Sequence, residues 1–309
     1  MNLGAVEAIL VCLGLFGVDF SARTLRMQLF LRGIGRGVSF REVMLQGFVC
    51  EAGAILTPMR IGGDATRLWA MRRAGLSMTA AVVCMGVETA AMAVVIVSLT
   101  LLLMVTVAAD WWDAVGPRLL SALADGWPWV ALLVVASLAG WIVARHYAPR
   151  LRAVFQREAR SVRRYARVMP RWAWLAAVPL TLVNIAARVA ILPVLVSTLH
   201  SPPPLVATII GSYALLYGQL LTPTPAGAGA VELGFLAGAA GEMGVEEGRL
   251  LIVWRTLTTL LPLFIGIIVA VLHYGFSLFG RPEAATRLPR GWQRRRTVDT
   301  ASHDEPGND

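Results

Sequence analysis

The sequence predicts an all-α polytopic membrane protein built as an inverted repeat, with about five full spans and two re-entrant hairpins that are broken by proline and glycine. Of the 309 residues, 57% are hydrophobic, and several apolar runs exceed the roughly 20 residues that a helix needs to cross a bilayer. A Pro/Gly-rich break occurs twice, and arginine is concentrated in alternate connecting segments. The short alternating segments typical of a membrane β-barrel are missing from the sequence.

The break that organises the chain is Leu220–Phe235, LLTPTPAGAGAVELGF. Its prolines and glycines prevent a continuous helix, and broken backbone at membrane depth is tolerated only where protein or a water-filled cavity surrounds it. An earlier copy, Leu56–Leu68, matches Leu221–Leu233 at one constant offset, with Leu, Thr, Pro, one glycine and a final leucine in common. Two matched breaks, one in each half, indicate a transporter-type binding site.

Five apolar segments are long enough to be full spans, and two shorter ones adjoin the breaks. The expected spans are residues 3–20, 79–109, 127–147, 172–199 and 250–276. The shorter segments, 43–57 and 205–240, are expected to enter the membrane from opposite faces and return as re-entrant hairpins, as an inverted repeat requires. A conventional seven-span arrangement is the alternative.

Two arginine-rich stretches lie beside the spans. Residues 21–41 read as a short basic amphipathic stretch that follows the first span. In residues 149–170, apolar side chains recur at helical spacing among arginines. This pattern indicates either a helix that lies on anionic lipid or an ordinary solvated loop helix.

The predicted domain organisation is one transmembrane domain, residues 1–278, followed by a disordered cytoplasmic tail, residues 279–309, which is polar throughout. The halves of the repeat are expected at about 1–110 and 127–278. The N-terminal segment lacks a positively charged start and a clear small-residue cleavage site, so we expect a retained first span rather than a signal peptide.

The distribution of arginine predicts the orientation. Residues 20–77 contain nine arginines, residues 147–171 eight and residues 280–296 six, whereas residues 109–126 and 200–249 contain one each. Because positive charge is retained on the cytoplasmic side, the N-terminus is expected outside and the C-terminus in the cytoplasm. This holds only if residues 43–57 return to the side from which they entered.

Composition also restricts the classes of partner and chemistry. The net charge is +9 and all 28 basic residues are arginine. Because the arginines cluster between apolar runs, anionic lipid headgroups are expected partners rather than nucleic acid. Three cysteines and four histidines are scattered without metal-type spacing, and no catalytic or nucleotide-binding motif occurs, so neither a cofactor nor an enzymatic activity is predicted.

Four charged residues follow the breaks with exchanged signs. Arg67 precedes Glu88 in the first half, and Glu232 precedes Arg255 in the second half at a closely similar separation. A charge inside a membrane is functional or paired by default. We therefore expect all four to meet near a pseudo-twofold axis, each arginine pairing with one of the two glutamates.

Two interpretations of these charges stay open. In the first, they are structural pairs that hold the hairpins closed, because breaking a buried ion pair is strongly destabilising. In the second, Arg67 or Arg255 receives a substrate phosphate, which arginine binds bidentately, and the glutamates act as exchange partners. Amide groups at the helix N-termini after Pro58 and Pro225 would add positive dipole ends.

The candidate substrate-binding residues are Arg60, Arg67, Glu88, Glu232, Arg255, Pro58, Gly62, Gly63, Pro223, Pro225, Gly227 and Gly229. Candidates of second rank are Glu51, Arg60, Asp64 and Arg188. Glu7 and His273 are expected to be local partners or groups that snorkel to the membrane interface. No residue is predicted to be catalytic or to bind a metal.

The residues at the two breaks resemble the signatures of a known family. The run Pro58–Arg67, PMRIGGDATR, is followed by RAGLS and then by Glu88. The run Pro223–Glu232, PTPAGAGAVE, is followed by Arg255 and Pro262. Together they are similar to the lysylphosphatidylglycerol synthase transmembrane-region family, a flippase-like membrane domain.

The resemblance covers about residues 5–278 and implies a bacterial inner-membrane protein that moves phospholipids or related isoprenoid lipids between leaflets. The chain departs from the family's two-domain members because it lacks a soluble aminoacyl-transfer domain, so we expect a stand-alone member that does not synthesise lysyl-lipid. It also has Ala226 at a position where glycine is frequent.

The leading functional hypothesis is therefore an inner-membrane lipid transporter or flippase. Its expected partners are membrane lipids with anionic headgroups, and a lipid-synthesis enzyme is a further candidate. The alternatives are a membrane-embedded lipid-modifying enzyme, with the glutamates as acid or base, and a subunit or scaffold of a hopanoid or glycolipid synthesis complex.

Overall fold

The computed structural model describes residues 4–106 and 170–275, together with isolated helical positions between 113 and 135. Within those two ranges, the exceptions are residues 34–36, 59, 74–75, 223 and 242. The predictions for the span at 127–147, the stretch at 149–170, the tail at 279–309 and the candidate residue Pro223 lie outside the described residues.

The first half contains four helices in the order that the sequence predicts. They are α1 (Ala5–Gly33), α2 (Phe40–Leu56), α3 (Ile61–Arg73) and α4 (Met78–Thr106). Ser39 begins α2 by accepting a hydrogen bond from the Glu42 backbone N–H at 3.2 Å, as serine commonly does at a helix N-terminus. The break at Pro58 then separates α2 from α3.

The second half contains α5 (Arg171–Val196), α6 (Leu205–Gly218), α7 (Ala230–Leu236), α8 (Glu247–Arg255) and α9 (Leu261–Val269). The last two join through a π-helical turn, Thr256–Leu260, and belong to one helical segment, Gly244–Tyr274. The final span therefore begins several residues before the expected position 250. The second return segment is also shorter than expected, since only Ala230–Leu236 of residues 225–240 is α-helical.

Four helical segments of the described part are long and apolar enough to cross a membrane. They are Ala5–Gly33, Ala80–Thr106, Arg171–Val196 and Gly244–Tyr274. They correspond to four of the five predicted spans, and the fifth falls on residues that the structure does not describe. The class of polytopic all-α membrane protein is thus confirmed.

The repeat extends beyond the two breaks to the helices themselves. Adding the offset between the two breaks to the first residue numbers of α1, α2 and α4 gives three positions in the second half. Each position lies within one residue of the start of α5, α6 or the Gly244–Tyr274 segment. The counterparts α1 and α5 pack along each other. Asp19 of α1 and Asn184 of α5, which are separated by the same offset, share a hydrogen bond, so equivalent positions of the two halves are in direct contact.

Each hairpin is closed by a glycine that permits backbone contact. A Cβ atom on Gly62 of α3 would lie 2.5 Å from the carbonyl oxygen of Gly53 in α2. A Cβ atom on Gly211 of α6 would lie 2.3 Å from the carbonyl oxygen of Ala239. Since neither distance accommodates a side chain, both hairpins depend on the absence of a Cβ atom, as close helix packing in membranes commonly does.

A proline inside α5 connects this helix to α6. Pro193 has no N–H group, so the carbonyl of Val189, four residues earlier, lacks its usual helical donor. The buried hydroxyl of Ser212 donates to that carbonyl at 2.9 Å. The proline therefore creates an acceptor that fixes the second hairpin against the long helix.

The two breaks meet in the folded chain. Pro58 and Pro225 lie opposite each other and form an isolated antiparallel β-bridge, the sole β-type pairing among the described residues. The duplicated motifs are thus in direct contact although they belong to different halves of the sequence.

Candidate functional site

The centre of the site is Glu51 of α2, whose side chain is only 2% exposed. Its Oε2 atom accepts a hydrogen bond from Arg23 Nη2 of α1 at 2.7 Å. Its Oε1 atom accepts from Arg60 Nη2 at 2.6 Å and lies 3.3 Å from Arg188 Nη2 of α5. One buried carboxylate therefore joins the first break to both α1 and α5.

A second buried carboxylate lies on α4. Glu88 accepts from Arg67 Nη1 of α3 at 2.5 Å and from Arg26 Nη2 of α1 at 2.9 Å. Arg26 is almost fully buried and also donates to the hydroxyl of Thr181 at 2.9 Å. Charged groups removed from water are stable only when paired and hydrogen-bonded. Both carboxylate oxygens of Glu88 are paired with an arginine here, whereas Arg26 Nε has no partner among the described residues.

The two carboxylates belong to one positively charged group, which we call the arginine cluster. It comprises Arg23, Arg26, Arg60, Arg67 and Arg188. The acidic residues in contact with it or beside it are Glu51, Glu88 and Asp19, the last of which pairs with Asn184. Five arginines thus face three acidic side chains, and the cluster carries two positive charges in excess.

The cluster lies at the middle of the long helices. Asp19 is the central residue of α1, and Asn184 is at the midpoint of α5. Apolar residues occupy the helix faces on either side, for example Cys12 in one core cluster and Phe30 in the other. In a helix that spans a bilayer, a mid-length position corresponds to the centre of the hydrocarbon region.

The corresponding pair in the second half is simpler. Arg255 donates to Glu232 Oε1 through Nε at 2.6 Å and to the carbonyl of Ala226 through Nη1 at 3.0 Å. The other carboxylate oxygen of Glu232 accepts from the Gly229 N–H at 2.7 Å, at the start of α7. Arg255 therefore holds the second break and the helix that follows it against α8.

The four charges highlighted by the sequence form two separate pairs. Arg67 pairs with Glu88, and Arg255 pairs with Glu232, so each pair stays within its own half. Among the described residues, neither Arg67 nor Glu88 forms an ion pair with Glu232 or Arg255. An ion pair between the halves is instead formed by Glu51, which the sequence placed in the second rank, with Arg188.

The remaining candidate residues lie in the two breaks or on the surface of α3. Gly63 packs against Ala54, and Gly227 and Gly229 adopt positive φ angles of 69° and 86° in the second break. Asp64 is exposed on α3. Of the two groups expected to be local partners or snorkelling groups, Glu7 contacts a neighbour in sequence, whereas His273 contacts a residue of the first half. Glu7 accepts from the Gly4 N–H at 3.1 Å, and His273 lies 3.3 Å from Glu42.

Sequence reasoning missed three residues of α1. The sequence places Asp19 in the first span and Arg23 and Arg26 in a basic amphipathic stretch at 21–41, but α1 continues unbroken to Gly33. They are spaced by four and three residues, which places them on one face of a helix. This spacing was the available signal, and the buried glutamates explain why the arginines turn inward rather than toward lipid headgroups.

Pro262 contributes to the site through a backbone carbonyl. Because proline lacks an N–H group, the carbonyl of Thr258, four residues earlier, lacks its usual α-helical donor. Arg188 Nη2 donates to that carbonyl at 3.2 Å while it also contacts Glu51. The surrounding π-helical turn, Thr256–Leu260, is of a kind that often occurs at functional positions.

Each break contains one residue other than glycine in the left-handed region. Arg60 has a φ angle of 60° and Ala226 a φ angle of 51°. This conformation costs a residue with a Cβ atom about 1–2 kcal/mol. The bond from Arg60 to Glu51 and the bond from Arg255 to the Ala226 carbonyl hold the two residues in place. The left-handed backbone also explains why glycine suits position 226.

Replacing Ala226 with glycine is expected to raise thermal stability by up to about 1 kcal/mol. Glycine relieves the left-handed strain of the folded state, which stabilises the protein. It also makes the unfolded chain more flexible, which lowers the free energy of unfolding by roughly 0.4–1 kcal/mol, and the first effect is the larger. The matched control is Ala228→Gly, since Ala228 is exposed and has no positive φ angle, and this variant should lose stability. Unfolding of both purified variants in detergent measures the difference, and equal losses would show that Ala226 is unstrained.

Comparison with known proteins agrees with this architecture. The fold and the buried charges define a polytopic membrane protein whose two repeated halves meet at their broken segments. The chain belongs to the family described as lysylphosphatidylglycerol synthase TM region, whose model matches residues 2–266. No curated protein matches the sequence significantly. Membership of this family makes it a multi-pass membrane protein of lipid-related function.

Proposed function

We propose that the protein is a bacterial inner-membrane lipid transporter that moves a phospholipid or an isoprenoid-type lipid between the two leaflets. The observation that carries this proposal is the contact of the two broken hairpins at Pro58 and Pro225, beside an arginine cluster at the middle of α1 and α5. Irregular backbone and buried charge at mid-membrane depth are typical of transport sites between inverted repeats.

The two ion pairs outside the Glu51 centre suit a gating role in this function. Arg67 and Glu88 connect α3 to α4, whereas Glu232 and Arg255 connect α7 to α8. Each pair therefore links the helix that follows a break to the next long helix of the same half. Separation of one pair at a time would free one hairpin at a time. In this proposal the N-terminus lies outside and the C-terminus lies in the cytoplasm.

The primary test is lipid translocation in vesicles reconstituted with the purified full chain. Fluorescent-headgroup lipids of anionic, zwitterionic and isoprenoid-phosphate type should change leaflet faster than in protein-free vesicles, and mass spectrometry should recover them chemically unchanged. An altered lipid would favour the lipid-modifying alternative. Rates equal to protein-free vesicles for every lipid class would reject transport.

Linking the two breaks covalently is expected to stop translocation. Residues paired across an antiparallel bridge have Cα atoms about 4.5–5.5 Å apart, which lies within the range for a disulfide. The double variant Pro58→Cys/Pro225→Cys is made in a chain whose three native cysteines, all buried, are replaced by alanine. Oxidation should reduce translocation at least tenfold, and a reducing agent should restore it.

The control for this experiment is each single cysteine variant in the same background. Neither should respond to oxidation, because one cysteine cannot close the link within a chain. Full translocation by the oxidised double variant, with the disulfide verified by mass spectrometry, would show that the breaks need not separate.

A further inference from the structure

The most informative unexplained group in the described chain is one nitrogen of Arg23. Arg23 Nη2 is bound to Glu51, but Arg23 Nη1 is buried and has no hydrogen-bond partner in the part of the chain that the structure describes. A buried, unpaired guanidinium N–H is costly, because removal from water is not compensated by any bond. A ligand that accepts a hydrogen bond from this N–H group would remove that cost.

A cavity of about 80 Å³ is lined in part by the Arg23 side chain. Its polar lining consists of Arg23, Arg60, Asn184, Arg188, Tyr217 and Gln219. Since one water needs only about 10–15 Å³ of such space, the cavity has room for a group on the order of a phosphate. Met92, Leu216 and Leu220 complete the wall and provide an apolar side.

Both halves of the repeat contribute to this cavity. Arg23 and Arg188 are equivalent residues, related by the offset between the two breaks, and they approach the same carboxylate from α1 and α5. Arg60 belongs to the first break, and Gln219 directly precedes the second. The cavity therefore lies where movement of either hairpin would change its walls.

We propose that this cavity is a binding site for one phosphate-type oxyanion, with Glu51 as the internal anion that occupies the arginines when the ligand is absent. The proposal rests on the proposed transport function for its biological meaning, although binding itself does not require transport. Two excess positive charges in the arginine cluster, the unpartnered Arg23 Nη1 and the three convergent guanidinium groups all favour an anion. Arginine matches phosphate through bidentate, charge-assisted hydrogen bonds.

This assignment differs from the sequence expectation that Arg67 or Arg255 receives the phosphate. Arg255 donates to the Glu232 carboxylate and to a backbone carbonyl, and Arg67 is held by Glu88. Neither has a buried nitrogen without a partner in the described region. The cluster around Glu51 combines three arginine side chains with a cavity that they line.

The test measures binding to the purified full chain in neutral detergent by calorimetry and by ligand-dependent thermal shift. The probes are inorganic phosphate, a short-chain phosphatidic acid and a short-chain diacylglycerol that lacks phosphate. We expect one phosphate-bearing probe or both to bind with one site per chain, and diacylglycerol not to bind. Binding of the lipid alone identifies a headgroup site, whereas binding of inorganic phosphate alone identifies a free-anion site.

Three variants assign the binding to this cavity. Arg23→Gln should weaken binding about tenfold to a hundredfold, as loss of a charge-assisted hydrogen bond does. Glu51→Gln should tighten binding about tenfold, because the competing carboxylate is gone. Met92→Phe narrows the cavity without changing any charge, so it tests the site even if Arg23→Gln fails to fold. Arg249→Gln, at an exposed surface position, is the control and should leave the affinity unchanged.

Several outcomes would overturn the proposal. These are absence of binding by both phosphate-bearing probes, equal affinity in wild type and Met92→Phe, or weaker binding in a folded Glu51→Gln variant. Binding that responds to the variants while vesicle translocation is absent would retain this site and reject the transport function. The two proposals can therefore fail separately.

Discussion

Replacing Glu51 with glutamine is expected to lower the free energy of unfolding by about 3–5 kcal/mol, the usual cost of removing one partner from a buried ion pair. The change keeps the size and shape of the side chain but removes the charge that Arg23, Arg60 and Arg188 share. Three guanidinium groups would then lie close together without a counter-charge. Thermal and chemical unfolding in detergent micelles measures the loss.

A matched control for Glu51→Gln is available on the surface. Glu246 forms an exposed pair with Arg249 at 3.5 Å, and exposed pairs contribute about 0–1 kcal/mol. Glu246→Gln should therefore change stability by less than about 0.5 kcal/mol. The double variant Glu51→Gln/Arg60→Gln should recover part of the loss, because one uncompensated charge is removed. Similar small effects of Glu51→Gln and Glu246→Gln would contradict the central role of this carboxylate.

The second large effect is expected at the contact between α9 and α2. A Cβ atom on Gly266 would lie 2.3 Å from the backbone oxygen of Phe48 and 2.6 Å from the Cβ atom of Ala52. Because backbone atoms cannot rotate away, Gly266→Ala must separate the two helices, at a cost of about 1–3 kcal/mol or more. Gly266→Val should prevent folding, and the yield of monodisperse protein together with its unfolding temperature measures both variants.

Gly86→Ala provides the comparison for this prediction. Gly86 is exposed within α4, and a Cβ atom there would meet no atom within 4 Å. Since alanine is the better helix former by about 1 kcal/mol, Gly86→Ala should hold or raise stability. If Gly266→Ala behaves like Gly86→Ala, then α2 and α9 do not approach as closely as the structure indicates.

Much of the architecture could be predicted from local sequence features. The apolar runs determine the long helices, because a membrane span is recognised by length and composition alone. Pro58 and Pro225 mark the breaks, since proline cannot continue a helix whatever surrounds it. The constant offset between the two breaks also relates the helices of one half to those of the other.

The pairing of the charged residues within each half could also be predicted in part from the sequence. Arg67 and Glu88 are 21 residues apart and Glu232 and Arg255 are 23 apart, and both separations join a short helix to the next long one. The sequence left two partners open for each arginine. The structure selects the partner in the same half, because the neighbouring helix brings that carboxylate within hydrogen-bond distance.

By itself, the sequence determined the membrane class, the positions of the breaks and the repeat, because these depend on local composition and on backbone chemistry. Only the tertiary structure decided that Glu51 joins arginines 28 and 137 residues away and that Pro58 faces Pro225. No local pattern indicates which buried charges converge. Their pairing follows from the packing of α1 against α5. Because an unpaired buried charge has a high free-energy cost, each arginine there must lie within hydrogen-bond distance of a carboxylate.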